Sequence, residues 1–281
     1  MIFASYSNFH KKVREIGFAE AAKQTAALGF DAVELIQSSH FEKTYMKTAA
    51  DAVANKKILD DCGLGVSCYS LPCDVLRGER DRVLEDVFRH IELAAILGSP
   101  YFHHTLVPGL LPQPATPIGD LLSGRLAEMG ETIAKRCNAL GLICLYEPQG
   151  MVVNGVDALV AWVREMRERG CRVGVCGDLG NSLFVDTPPT EIFKALSKDI
   201  RHVHVKDYFY GEQPLANAYR SRNGKYIAVA PVGQGVVDFE ACFACIPDFD
   251  AAVSMENDGP DEEIKRSVAY IKSVWQKVKQ A

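Results

Sequence analysis

The chain has 281 residues, 48% of them hydrophobic, enough to bury a large core. Its net charge of −5 excludes a generally basic surface and argues against a nucleic-acid partner. No apolar run approaches the roughly 18 residues of a membrane helix, MIFASYSNFHKK lacks the leading positive charges of a signal peptide, and nine scattered cysteines point to buried free thiols in a reducing cytoplasm.

Strand-like and helix-like segments alternate with a regular beat. IFASYS (2–7) is the first predicted strand, followed by a helix from Lys12 to Leu28 closed by Gly29. DAVELIQ (31–37) is the second strand, with a helix over Thr48–Asp61, and GVSCYSLP (65–72) is the third, with a helix over Glu79–Leu97. YFHHTLVP (101–108) is the fourth strand, followed by a Pro-rich loop and a helix from Ile118 to Leu140. LICLYEP (142–148) is the fifth strand, with a helix through Val163 to Arg169, and RVGVCGD (172–178) is the sixth, with a short helix over Pro189–Leu196. IRHVHVKDY (200–208) is the seventh, followed by a long polar loop from Tyr210 to Gly235 and a helix over Phe239–Ile246. AAVSMEN (251–257) is the eighth, and a final helix runs over Asp261–Lys279.

Eight βα units without a break in composition predict an α/β fold, a single (β/α)8 TIM barrel domain over residues 1–281. Gly stops after several helices mark C-caps that turn the chain back into a strand. Cys242 and Cys245 form a CxxC without a partner pair at zinc-ribbon spacing. In a helical segment they read as two small residues facing the core.

Four of the apolar runs end in residues that bind hard or borderline divalent cations: Glu147, Asp178, His204 and Glu256. A barrel of this kind carries its active site at the C-terminal ends of its strands. Strands five to eight are consecutive, so these residues would form an arc around one side of the mouth. Three carboxylates and one imidazole suit Mn²⁺ or Mg²⁺, with Zn²⁺, Co²⁺ or Fe²⁺ also compatible. Carboxylates this close together repel one another unless a cation lies between them.

Further polar residues fall on the same end. In strand seven, period two puts His202, His204 and Lys206 on the inner face and Val203 and Val205 on the outer one. His202 lies a layer deeper, as a hydrogen-bonded core residue, whereas Lys206 at the rim is placed to hold a substrate oxygen or a phosphate. His103 and His104 are adjacent, so only one of them can face the mouth and contact substrate. Glu34 in DAVELI points inward and needs a partner, either substrate or a structural hydrogen bond. The long loop carries Arg220, Arg222 and Lys225, which could meet an anionic group, Arg222 being the foremost candidate.

The segments GFDAVEL, LYEP, GDLGN, HVHVKD, VGQGVVDF and SMEND, in that order, resemble the xylose isomerase-like barrel superfamily across essentially the whole chain. That superfamily includes ketose 3-epimerases, hydroxypyruvate isomerase, inosose dehydratase and the type IV apurinic endonucleases. The resemblance implies that Glu147, Asp178, His204 and Glu256 ligate one divalent metal. It further implies that Glu147 and Glu256 form an acid/base pair on opposite faces of a small sugar or polyol. Membership also brings the expectation of a homo-oligomer.

Such chemistry has a physical rationale. A proton next to a carbonyl is too weakly acidic to leave unaided at neutral pH, and a cation on the neighbouring oxygens stabilises the resulting ene-diolate. A carboxylate on each face then removes and returns the proton. The chain departs from the family pattern at Asn181, where many epimerases and the endonucleases carry His. With only seven histidines, it also lacks the set for a three-metal cluster. The expected function is therefore a divalent-metal-dependent sugar or sugar phosphate isomerase or epimerase. A keto-sugar or inosose dehydratase is the alternative, and an endonuclease-like hydrolase ranks behind both.

Overall fold

The computed structural model describes residues 1–37 and 44–280. In chain order the elements are β1 (Ile2–Ser5), α1 (Ser7–Ile16), α2 (Phe18–Ala27), β2 (Ala32–Ile36), α3 (Ala49–Asp61), β3 (Gly65–Leu71), α4 (Arg80–Ile96), β4 (Tyr101–His104), α5 (Ile118–Leu121), α6 (Gly124–Ala139) and β5 (Ile143–Tyr146). They continue with α7 (Val156–Glu168), β6 (Val173–Asp178), α8 (Pro189–Leu196), β7 (Ile200–Val205), β8 (Asp207–Gly211), β9 (Tyr219–Arg220), β10 (Tyr226–Ala230), α9 (Phe239–Ala244), β11 (Ala252–Met255) and α10 (Asp261–Gln280).

Eight parallel strands close into a barrel in the order β1-β11-β7-β6-β5-β4-β3-β2, with the helices outside. This is the TIM barrel that the alternating pattern predicts. The outward-facing strand residues Phe3, Val33, Leu35, Tyr69, Phe102, Val203 and Val205 pack with the inner faces of the helices into one apolar layer. Inside the barrel, Cys68, Leu145 and Cys176 form a small apolar floor with Tyr101 and Ile143. Polar side chains lie above it. Both thiols on that floor are pushed up by burial, Cys176 to about 12, so they are neutral filler.

The helix boundaries differ from expectation where glycine intervenes. The single helix foreseen over Lys12–Leu28 is two helices, broken at Gly17, whose φ of 81° lies in the left-handed region. The helix foreseen over Ile118–Leu140 is divided between α5 and α6. Thr48 caps α3 in a reciprocal capping box with Asp51. Cys242 is buried on α9, and Cys245, at its C-cap, donates to Ala241 O at 3.3 Å.

The stretch from Tyr210 to Gly235 is not the irregular loop foreseen. It contributes most of an antiparallel sheet in the order β8-β10-β9. Tyr208 and Ile227 of that sheet pack on Met151, Leu183, Phe184 and Val185, which tie the loops after β5, β6 and β7 together. Asp207 anchors the far side. Its carboxylate accepts from Gly233 N (3.0 Å), Gly235 N (2.8 Å) and Val237 N (3.2 Å). A Cβ at Gly235 would lie 2.2 Å from Asp207 Oδ1, so only glycine fits this cradle. HVHVKD and VGQGVVDF thus meet as two halves of one structural contact.

Candidate metal centre

The candidate site is built from strand ends upward. Glu147 follows β5 directly, Asp178 ends β6, His204 sits one residue before the end of β7, and Glu256 follows β11. The fold brings these four residues together around one atom. His204 Nδ1 lies 3.1 Å from Glu147 Oε2, 3.5 Å from Glu256 Oε2 and 3.7 Å from Asp178 Oδ2. Glu147, Asp178 and His204 are buried, while the Glu256 side chain keeps 27% of its surface open at the mouth.

What holds His204 lies behind it. Glu34, fully buried on β2, reaches His204 Nε2 with both oxygens, at 3.0 and 3.1 Å. The same carboxylate takes His202 Nε2 at 2.8 Å and is also the acceptor of the Ser70 hydroxyl. Burial alone would push Glu34 up, but His204 and His202 beside it hold it well below the usual carboxylate range. An ionised carboxylate only accepts, so both imidazoles present Nε2–H to Glu34. The Nδ1 lone pair of neutral His204 is then aimed at three carboxylates. That arrangement is repulsive unless a proton or a cation lies at Nδ1. Burial disfavours the imidazolium, but the Glu34 and Glu147 carboxylates in contact with the ring raise its pKa well above the ordinary value.

The donor chemistry fits a hard or borderline divalent cation: three carboxylates and one imidazole converge, and Glu147, Asp178 and His204 have ligand atoms within 4.8 Å of one another. Asp178 Oδ1 is used by Gly180 N (2.8 Å) and Asn181 N (2.6 Å), but its buried Oδ2 has no hydrogen-bond partner. Lys206 Nζ lies 3.0 Å from Asp178 Oδ2, out of line for a hydrogen bond, and 2.6 Å from Glu256 Oε2.

The remaining sequence candidates separate. His103 faces the site, with Nε2 3.3 Å from Glu147 Oε1 and Nδ1 3.0 Å from Ser70 Oγ. His104 points the other way, as adjacent residues on a strand must. It meets the Tyr146 ring edge-on at 5.5 Å, and its Nδ1 donates to Thr105 O at 3.0 Å, so it is not at the mouth. Arg222 is likewise turned to structural use, donating to Met151 O (2.6 Å) and Gln113 O (3.2 Å), which leaves it joining loops rather than facing the cluster. Arg220 stacks on Tyr226 at 3.4 Å, and Lys225 lies over Tyr210 at 5.0 Å. Glu34 proves to be the structural partner of two histidines.

The barrel agrees with a comparison by sequence. A family model described as xylose isomerase-like TIM barrel matches residues 22–274. The chain belongs to that family. No curated protein matches it by sequence. Among solved structures, this xylose isomerase-like barrel is similar to an L-ribulose 3-epimerase, with TM-score 0.75 and 16% identity over 99% of this chain and 96% of the other. It is similar to the probable 3-DHS dehydratase AsbF of Bacillus anthracis, with TM-score 0.74 and 15% identity over 97% and 99%. A xylose isomerase-like TIM barrel protein of Mycobacterium smegmatis in complex with magnesium gives TM-score 0.70 and 19% identity over 94% and 89%. At these identities the likeness concerns the fold. Among the described residues no helix is long and apolar enough to cross a membrane.

Several contributors to the site of this family member were not singled out from sequence. Tyr6 follows β1 and stacks on His204, ring centroids 5.1 Å apart. Ser70 joins Glu34 to His103, and Ser254 Oγ lies 3.0 Å from His202 Nε2. Gln149 accepts from Asn181 Nδ2 at 2.7 Å. The period-two rule, applied to β3 and β11 as it was to β7, would have put both serines on the inner face.

Proposed function

We propose that the protein is a divalent-metal-dependent isomerase or epimerase of a small sugar or sugar phosphate, acting as a one-domain barrel over residues 1–281. Glu147, Asp178, His204 and Glu256 are the proposed ligands, with Mn²⁺ or Mg²⁺ the best match to their oxygen-rich set. The observation that carries this reading is the convergence of three carboxylates on His204 Nδ1, whose opposite nitrogen is committed to Glu34. A bound divalent cation supplies Lewis-acid stabilisation of the charge that develops on the substrate's oxygens.

The protein's own groups handle the proton. Glu147 and Glu256 rise from β5 and β11, which are separated in the barrel by β6 and β7, so the two carboxylates enter the mouth from different directions. Their environments push them apart. Burial raises Glu147, but His103 and His204 more than reverse this and hold it well below the usual range, so it is ionised and free to accept a proton. Burial raises Glu256, Lys206 and His204 pull it back, Asp178 and Glu147 raise it again, and the net direction is upward, as suits a proton donor. Glu147 takes the proton from the carbon beside the carbonyl, and Glu256 returns one from the other face or to the neighbouring carbon.

Stripping metal with a chelator and restoring Mn²⁺ should abolish and restore turnover of a ketose from a substrate panel. Turnover that persists after complete stripping would refute the proposal. The dehydratase reading draws on one observation, the Lys206 ammonium 2.6 Å from Glu256, a pair able to protonate a departing hydroxyl. Solvent deuterium uptake without loss of water separates isomerisation from elimination.

A further inference from the structure

Lys206 stands in an unusual relation to the proposed ligands. The oxygens nearest to it, Glu256 Oε2 at 2.6 Å and Asp178 Oδ2 at 3.0 Å, are the same atoms that lie 3.5 and 3.7 Å from His204 Nδ1. The lysine is also fixed in place. Its Nζ donates to Asn181 Oδ1 at 3.1 Å, and Asn181 is held in turn by Gln149 at 2.7 Å. Its stem is buried against Gly180, where an added Cβ would lie 3.0 Å from Lys206 Cγ. With carboxylate oxygens at 2.6 and 3.0 Å, the lysine sits as an ammonium between two acids.

We infer that Lys206 is an internal counter-charge that competes with the divalent cation for Asp178 and Glu256, so that its removal tightens metal binding. The inference rests on the ligand set proposed above. A positive charge fixed beside two ligand oxygens repels any cation that shares them, and the repulsion is strong because the site is shielded from water. The same ammonium offsets the mutual repulsion of Glu147, Asp178 and Glu256 before a cation arrives. Lys206 therefore exchanges affinity for a site that stays assembled without metal and releases it readily.

The test is calorimetric titration of Mn²⁺ into the chelator-stripped full chain, as wild type, Lys206→Met and Lys206→Arg, with circular dichroism to establish folding. The methionine variant should bind Mn²⁺ about ten-fold or more tightly than wild type. The arginine variant keeps the charge and should stay near the wild-type value. Lys206→Gln replaces the methionine variant if that one does not fold. Unchanged or weaker binding in the neutral variant overturns the inference alone. Failure of wild type and variants alike to bind Mn²⁺ overturns both the inference and the metal assignment beneath it.

Discussion

Replacing Glu34 with Gln removes the charge behind His204 while keeping the side chain's volume. Glu34 accepts from His202 Nε2 at 2.8 Å and from His204 Nε2 at 3.0 and 3.1 Å, besides the Ser70 hydroxyl. Gln keeps one carbonyl oxygen, so one imidazole N–H retains an acceptor and the other meets an amide N–H. Losing one hydrogen bond to a charged group costs about 1.5–3 kcal/mol, partly offset because a neutral amide is easier to bury than a carboxylate. The larger effect should fall on the cation. A carboxylate hydrogen-bonded to a ligating histidine fixes its tautomer and raises its basicity, and loss of such a partner typically weakens metal binding about 10–100-fold, or roughly 1.4–2.8 kcal/mol. Mn²⁺ titration of Glu34→Gln, beside a thermal melt of the stripped protein, measures both quantities. A folded variant with wild-type Mn²⁺ affinity would refute the argument that Glu34 commits His204 Nδ1 to the metal. The shift is opposite in sign to that expected for Lys206→Met, so the two variants test the site's electrostatics from both sides.

Further outcomes follow from the same geometry. Glu147→Gln and Glu256→Gln should each lower kcat by about 10²–10⁴-fold if they are the acid/base pair, and either variant turning over at the wild-type rate would remove that residue from the role. His204 is raised well above its ordinary pKa, so in the metal-free protein Nδ1 stays protonated through neutral pH and a cation must displace that proton. Mn²⁺ affinity should therefore rise between about pH 6 and pH 8 with release of about one proton, read by calorimetry in buffers of different ionisation enthalpy; a flat profile would contradict it. Gly130→Ala should destabilise the fold although alanine is the better helix former. A Cβ there would lie 2.5 Å from Trp162 Cζ2, and overpacking of about 1–3 kcal/mol exceeds a propensity gain of about 1 kcal/mol, so the melting temperature should fall. An unchanged or higher melting temperature would show that Trp162 can move aside.

The barrel and the four strand-end residues were legible in the chain because both rest on local rules. Strand and helix periods alternate along the sequence, and alternation within IRHVHVKDY by itself placed His204 and Lys206 inward and Val203 and Val205 outward. The small sheet after β7 was missed although β10, YIAVA, is itself an apolar run, because that run is short and lies inside a segment that is otherwise polar. The sheet is stabilised by packing on Met151, Phe184 and Val185 and by the Asp207 cradle. The choice between His103 and His104 needed the strand's orientation in the closed barrel, since neighbouring residues carry no sign of which side is inside.

The sequence by itself determined the residue types available to the site and, through their positions at strand ends, the end of the barrel at which they gather. The tertiary structure decided how they are coupled. Glu34 reaches His202 and His204 across 168 and 170 residues of chain, and Lys206 reaches Glu256 and Asp178 on other strands. Periodicity tells which way a side chain faces relative to its own strand. The protonation of an imidazole and the seat of an ammonium depend on the groups opposite, and only barrel closure brings those groups together.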